Sequence, residues 1–129
     1  MSLTKHQPTV TVHIDKLGQI DIVQPLGAEA GNEASWLIVN DGQDDVLVWV
    51  HDFHRTKPDP GKKGPEKKTP SKNKDQTIIV PGKDKQTLKV KLDNCAKDEE
   101  YTYQICAYRG SEANCGKAPP AAPPWLEIY

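Results

Sequence analysis

Apolar side chains in this chain recur every second residue, and no window of eleven or more residues carries the 3.6-residue period of an amphipathic helix. Val10, Val12 and Ile14 alternate with Thr9, Thr11, His13 and Asp15. Successive side chains of a strand point to opposite faces, so each set shares one face. Leu88, Val90 and Leu92 repeat the pattern against Thr87, Lys89 and Lys91. Ser35–Asn40 (SWLIVN), Thr77–Val80 (TIIV), Tyr101–Tyr108 (YTYQICAY) and Trp125–Tyr129 (WLEIY) are further strands rich in β-branched and aromatic residues. Val46–Phe53 (VLVWVHDF) is apolar at both parities until His51, which predicts a central strand covered on both faces. Gly18, Asp41-Gly42 and Pro81-Gly82 mark turns, and Ile20 and Ile22 open a short second strand before the loop punctuated by Pro25, Gly27 and Gly31.

Seven to eight short strands separated by Gly, Pro, Asn and Asp turns predict an all-β chain. Its expected form is a single-domain antiparallel β-sandwich of Greek-key type over residues 1–129. With 129 residues there is room for one core, which needs neither metal nor disulfides to form. Trp36, Trp49, Tyr101 and Tyr103 are its expected large members. The final strand can close the sandwich, and if exposed it could recruit a neighbour.

Residues 55–75 (RTKPDPGKKGPEKKTPSKNKD) break the pattern. Prolines apart, the segment has no apolar residue. It carries Arg55, Lys57, Lys62, Lys63, Lys67, Lys68, Lys72 and Lys74 against Asp59, Glu66 and Asp75. Such a stretch cannot bury enough surface to offset its ordering entropy, so it reads as a flexible lysine-rich insertion. Ala118–Pro124 (APPAAPP) is expected to be extended, near polyproline II.

Three stretches resemble the cupredoxin-type sandwich. Gly31–Asn40 (GNEASWLIVN) is similar to its glycine-led strand ending in Asn. Val80-Pro81-Gly82 followed by Leu88-Lys89-Val90 is similar to its Pro-Gly turn and next strand. Tyr101–Cys106 (YTYQIC) resembles its approach to the copper loop, with one extra residue before the cysteine. The same features suit an immunoglobulin-like or fibronectin-like sandwich. A blue-copper site needs two His, one Cys thiolate and usually an axial Met. Here no His follows His54 and the one Met is Met1, so Cys106 lacks its loop partners. The resemblance therefore implies the fold without its cofactor.

Cys95, Cys106 and Cys115 are an odd set. Cys106 and Cys115 bracket a predicted hairpin loop and could form one disulfide, the alternative being three reduced thiols. His51 and His54 (in HDFH) are the candidate metal ligands. They point to opposite faces unless the strand ends at Phe53. Asp41–Asp45 and Asp98–Glu100 lack the spacing of a calcium loop. No Gly-x-Ser-x-Gly, phosphate-binding glycine loop or zinc-type Cys pair occurs, so no catalytic residue is named.

The net charge of −1 argues against the whole domain being a nucleic-acid or membrane binder. No run approaches the ~20 apolar residues of a membrane span. No signal peptide is visible. Met1-Ser2-Leu3 could be a vector remnant, in which case a trimmed leader and an extracytoplasmic location stay open. The expected function is a non-enzymatic interaction or structural module with a protein partner. Its expected contact surfaces are the lysine-rich loop (Lys62, Lys63, Lys67, Lys68, Lys72) and the loop Arg109–Lys117. The alternatives are a metal-binding cupredoxin-like protein using His51, His54 and Cys106, and a binder of nucleic acid or an anionic surface through the basic loop.

Overall fold

Val10, Val12 and Ile14 turn inward from the first strand, β1 (Thr9–Ile14), while Thr9, Thr11 and His13 face outward. The computed structural model describes residues 6–56, 66–67, 70–71, 76–117 and 123–129, with only the backbone for 66–67. The other strands are β2 (Leu26–Ala28), β3 (Glu33–Asn40), β4 (Val46–Arg55), β5 (Glu66–Lys67), β6 (Gln76–Val80), β7 (Lys85–Lys91), β8 (Glu100–Arg109), β9 (Glu112–Cys115) and β10 (Trp125–Ile128). A single 3₁₀ turn, Asn94–Ala96, joins β7 to β8.

The chain is an all-β sandwich of two sheets. The smaller has the order β1-β3-β7. The larger has the order β2-β10-β8-β4-β5, with β6 beside the first half of β4 and β9 beside the second half of β8. The ten strands among the described residues exceed the expected seven or eight because β2, β5 and β9 are short and carry little periodicity. The central ladders are antiparallel, but two outer pairs, β1–β3 and β2–β10, are parallel. Strand β10 lies between β2 and β8, so it is not the exposed edge that its terminal place in the sequence suggests. Ile20 makes only an isolated bridge to Ile14, not a second strand.

Inward-facing Val46, Val48 and Val50 of β4 and Tyr101, Tyr103, Ile105 and Ala107 of β8 meet Trp36, Ile38, Leu88 and Val90 of the smaller sheet. The Trp36 Nε1–H donates to the Tyr103 hydroxyl at 3.0 Å, which satisfies a donor that would be costly to bury alone. The two rings meet edge to face at 5.4 Å, and Phe53 packs on Tyr103 at 5.7 Å. Trp49 is not part of this core. Its parity is that of Leu47 and His51, opposite to the valines, so it lies half-buried on the outer face. Strand β4 is thus central within its sheet, with the core on one face and half-buried Trp49 and His51 beside exposed Leu47 on the other.

The corner between β3 and β6 is tied by Asn40. Its buried Nδ2 donates to the carbonyls of Asp44, Val80 and Pro81 at 2.9–3.2 Å, and its Oδ1 accepts from Gly42 N at 3.0 Å. The Pro81-Gly82 turn presses against Gln43, and a Cβ at Gly82 would overlap the Gln43 carbonyl. Asn40→Ala leaves these groups without a partner and is expected to cost about 2–4 kcal/mol. Asn40→Asp should cost more, because a carboxylate faces three carbonyl oxygens. Urea unfolding reads both. A loss below about 1 kcal/mol for Asn40→Ala would mean water replaces the amide.

The 55–75 segment is partly built into the fold. Strand β4 runs past Phe53 to Arg55, and His54 and Arg55 pair with β5. Pro70 and Ser71 are buried, and the Pro70 carbonyl accepts from Asp93 N at 2.8 Å. Arg55 is not a member of a solvated basic loop. It is buried and paired to Glu99 at 2.9 Å. Among the described residues, no helix is long and apolar enough to cross a membrane.

Candidate outer-face interaction site

Residues directly opposed in an antiparallel ladder share a face, so the register lays out the outer surface of the larger sheet. One row reads Ile79, Leu47, Tyr108 and Ala113 across β6, β4, β8 and β9. The next reads Thr77, Trp49, Cys106 and Cys115, and a third pairs His51 with Gln104. Ile79 is 62% exposed and Leu47 39% exposed, whereas Trp49, His51 and Tyr108 are half-buried against their neighbours. The His51 ring stacks on the Trp49 indole with centroids 3.6 Å apart and planes 13° from parallel. Tyr108 approaches Trp49 at 6.3 Å.

A disulfide joins Cys106 and Cys115, which face each other across β8 and β9. Cys106 is buried beneath this platform and Cys115 is exposed. A disulfide-bonded Cys106 offers no thiolate to a metal. Cys95 is the free cysteine, exposed in the 3₁₀ turn.

The Arg109–Lys117 segment contains a strand, β9, after a two-residue turn. Gly110 takes a left-handed conformation (φ +61°), which lets the chain reverse in two residues, and Arg109 then pairs with Glu112. The Arg109 guanidinium donates to the Lys16 carbonyl at 3.1 Å and to the Glu112 carboxylate at 3.3 Å. Two of its donors are thus engaged by groups of the same chain at the surface.

Of the other predicted contacts, Lys62, Lys63, Lys68 and Lys72 lie outside the described residues, and Lys67 is placed only by its backbone in β5. His51 and His54 both lie on β4, but the register with β8 shifts between them and Asp52 adopts a positive φ of 58°. His54 Nδ1 lies 3.1 Å from the Asp52 carbonyl and 3.7 Å from its carboxylate, while His51 stacks on Trp49. Among the described residues no three His, Cys, Asp or Glu side chains gather as metal ligands would.

The platform was missed by sequence reasoning, although half of its signal was local. Leu47, Trp49 and His51 share a parity opposite to that of Val46, Val48 and Val50. The contributions of Ile79 and Tyr108 depend on cross-strand register and have no local signature.

No family model and no curated protein sequence matches this chain. Among solved structures it is similar to Lac15 from a marine microbial metagenome, with a TM-score of 0.44 and 15% identity, over 99% of this chain and 28% of that one. It is also similar to the ASH / PapD-like domain 7 of human CEP192, with a TM-score of 0.44 and 9% identity, over 97% of this chain and 82% of that one.

Proposed function

We propose that the chain is a non-enzymatic interaction module that binds a partner protein across the outer face of its larger sheet. The observation that carries this reading is the aligned row of exposed Ile79 and Leu47 beside Tyr108 and the Trp49–His51 stack. The opposite outer face, on the smaller sheet, presents Thr9, Thr11, His13, Thr87, Lys89 and Lys91 around half-buried Leu37 and Val39, a more polar surface that carries lysines. Covering aliphatic and aromatic surface contributes about 2.5 kcal/mol for each 100 Å² of apolar area removed from water. Tyr and Trp are the side chains that most often anchor such contacts. The rows described above contain no Lys or Arg, whereas a nucleic-acid surface needs cations to neutralise phosphates.

A photo-crosslinking residue placed at position 79 or at position 87 separates the two faces in cells that produce the protein. Position 79 is expected to give a discrete protein adduct that Trp49→Ala or Leu47→Lys abolishes, and position 87 none. Equal adducts from both positions, or an adduct at 79 indifferent to Trp49→Ala, would reject the outer face as the binding surface.

A further inference from the structure

Gly116 N donates to the Ile105 carbonyl at 2.9 Å, so residues 105 and 116 form a hydrogen-bonded pair that extends the β8–β9 ladder. In an antiparallel ladder, hydrogen-bonded and non-hydrogen-bonded pairs alternate. Ala107/Asn114 and Arg109/Glu112 are then hydrogen-bonded pairs, and Cys106/Cys115 and Tyr108/Ala113 are the others. The 4.0 Å Cα separation of Cys106 and Cys115 agrees with the closer spacing of a non-hydrogen-bonded pair. It follows that the N–H and C=O groups of Ala113 and Cys115 point away from β8, along the outer side of β9.

The next outward position shows what such groups seek. The Lys117 carbonyl accepts from Val23 N at 3.0 Å, so the chain covers its own edge there. Among the described residues, no backbone group outside the ladder bonds Ala113 or Cys115. Three other edges are managed differently. Strand β7 carries Lys85, Lys89 and Lys91, β6 runs beside β7 at the corner of the sandwich, and β2 is bonded through Gly27 N to the Gln7 carbonyl. Strand β9 has no Lys, Pro or bulge, and its one charge, Glu112, is paired with Arg109.

We propose that β9 is the acceptor edge for an extended segment of the partner protein, which adds to the larger sheet as a further strand. The inference rests on the outer face being the binding surface and names the form the partner takes. The main chain of the segment bonds the outward groups of Ala113 and Cys115. Its residues opposite those two positions are about 6.8 Å apart on the outer face. Ala113 is small and Cys115 is tied down by its disulfide, so apolar side chains on the segment extend the row begun by Ile79, Leu47 and Tyr108. Exposed Lys117 at one end of the strand favours an acidic residue on the segment at that end.

A phage-displayed library of twelve-residue random peptides, selected against the full chain, supplies the probe. Enriched peptides are expected to alternate apolar and polar residues and to slow exchange of the Ala113 and Cys115 amide protons about tenfold or more at saturation. Ala113→Pro removes only an outward N–H, so it should leave the melting temperature in place and weaken the peptides by about tenfold. If the Pro variant misfolds, amide exchange in the wild-type protein still decides. Peptides that leave both amides exchanging freely overturn the edge, as does a library that enriches nothing. Peptides lost to Leu47→Lys but indifferent to Ala113→Pro leave the outer face standing and remove the acceptor strand. Peptides indifferent to both remove the two readings together. A dimer in the free protein that Ala113→Pro converts to monomer would make the occupant a second copy of this chain and reject the partner segment.

Discussion

Glu99→Ala is expected to destabilise the protein by about 3–5 kcal/mol, the cost of removing one member of a largely buried ion pair. The Arg55 and Glu99 side chains are only 10% and 12% exposed, and their closest N–O distance is 2.9 Å. The Tyr101 hydroxyl donates to the same Glu99 oxygen at 3.2 Å. Arg55 ends β4 and Glu99 stands just before β8, so the pair pins these two central strands at one end of the ladder. Arg55→Ala should cost a similar amount. Arg55→Met combined with Glu99→Leu should recover most of the loss, because an apolar pair of similar volume has no charge to desolvate. Urea-unfolding midpoints of the two single variants and the double variant give the coupling directly. A loss below about 1 kcal/mol for Glu99→Ala would place the pair among surface ion pairs.

The same pair shows why part of the molecule was legible in the sequence and part was not. In sequence, Arg55 sits at the head of eight basic residues and looks like one of them. Its partner is 44 residues away, and no local pattern announces it. The strands with clean alternation, β1 and β7, needed only the two-residue period, because one face of each meets the core and the other meets water. Strand β2 has three buried residues between Pro25 and Glu29 and no room for a period, so its parallel pairing with β10 exists only as a tertiary fact. Trp49 was legible and misread. An apolar run at both parities suggests cover on both faces, but β4 gains its central position from in-plane neighbours, while its outward residues are half-buried at Trp49 and His51 and exposed at Leu47. That outer face is the candidate site. Function entered the sequence as a conflict between a large apolar side chain and an outward position. The pairing of Ile79 and Tyr108 with Leu47 joins residues from three strands, and register of that kind is fixed by the whole sheet rather than by any segment.

The second large effect is expected at high pH. Burial raises the pKa of the Tyr103 hydroxyl far above the ordinary value of 10.0, and the bond from Trp36 opposes this only in part. Tyr101 is raised by burial and then by the neighbouring Glu99 carboxylate, with Arg55 acting in the opposite direction. Both side chains are at most 1% exposed. In the unfolded chain each hydroxyl releases its proton near pH 10, and in the folded chain only at higher pH. Above pH 10 the folded state therefore holds more protons than the unfolded state, and stability falls as pH rises. Below pH 10 both states are protonated and the contribution is constant. Two such groups give a slope approaching 2.7 kcal/mol per pH unit above pH 10, about 1.4 from each. Stability measured by urea unfolding between pH 8 and pH 11.5 should be level at first and then drop steeply, with the tyrosinate absorbance of Tyr101 and Tyr103 appearing together with unfolding rather than before it. Tyr103→Phe separates the contributions. It leaves the Trp36 N–H buried without an acceptor and should cost about 1–3 kcal/mol at neutral pH, yet it should halve the alkaline slope. An alkaline slope identical in wild type and Tyr103→Phe would mean that the Tyr103 hydroxyl ionises in the folded protein as it does in water. The enclosed Trp36–Tyr103 centre of the sandwich would then have to be open to solvent.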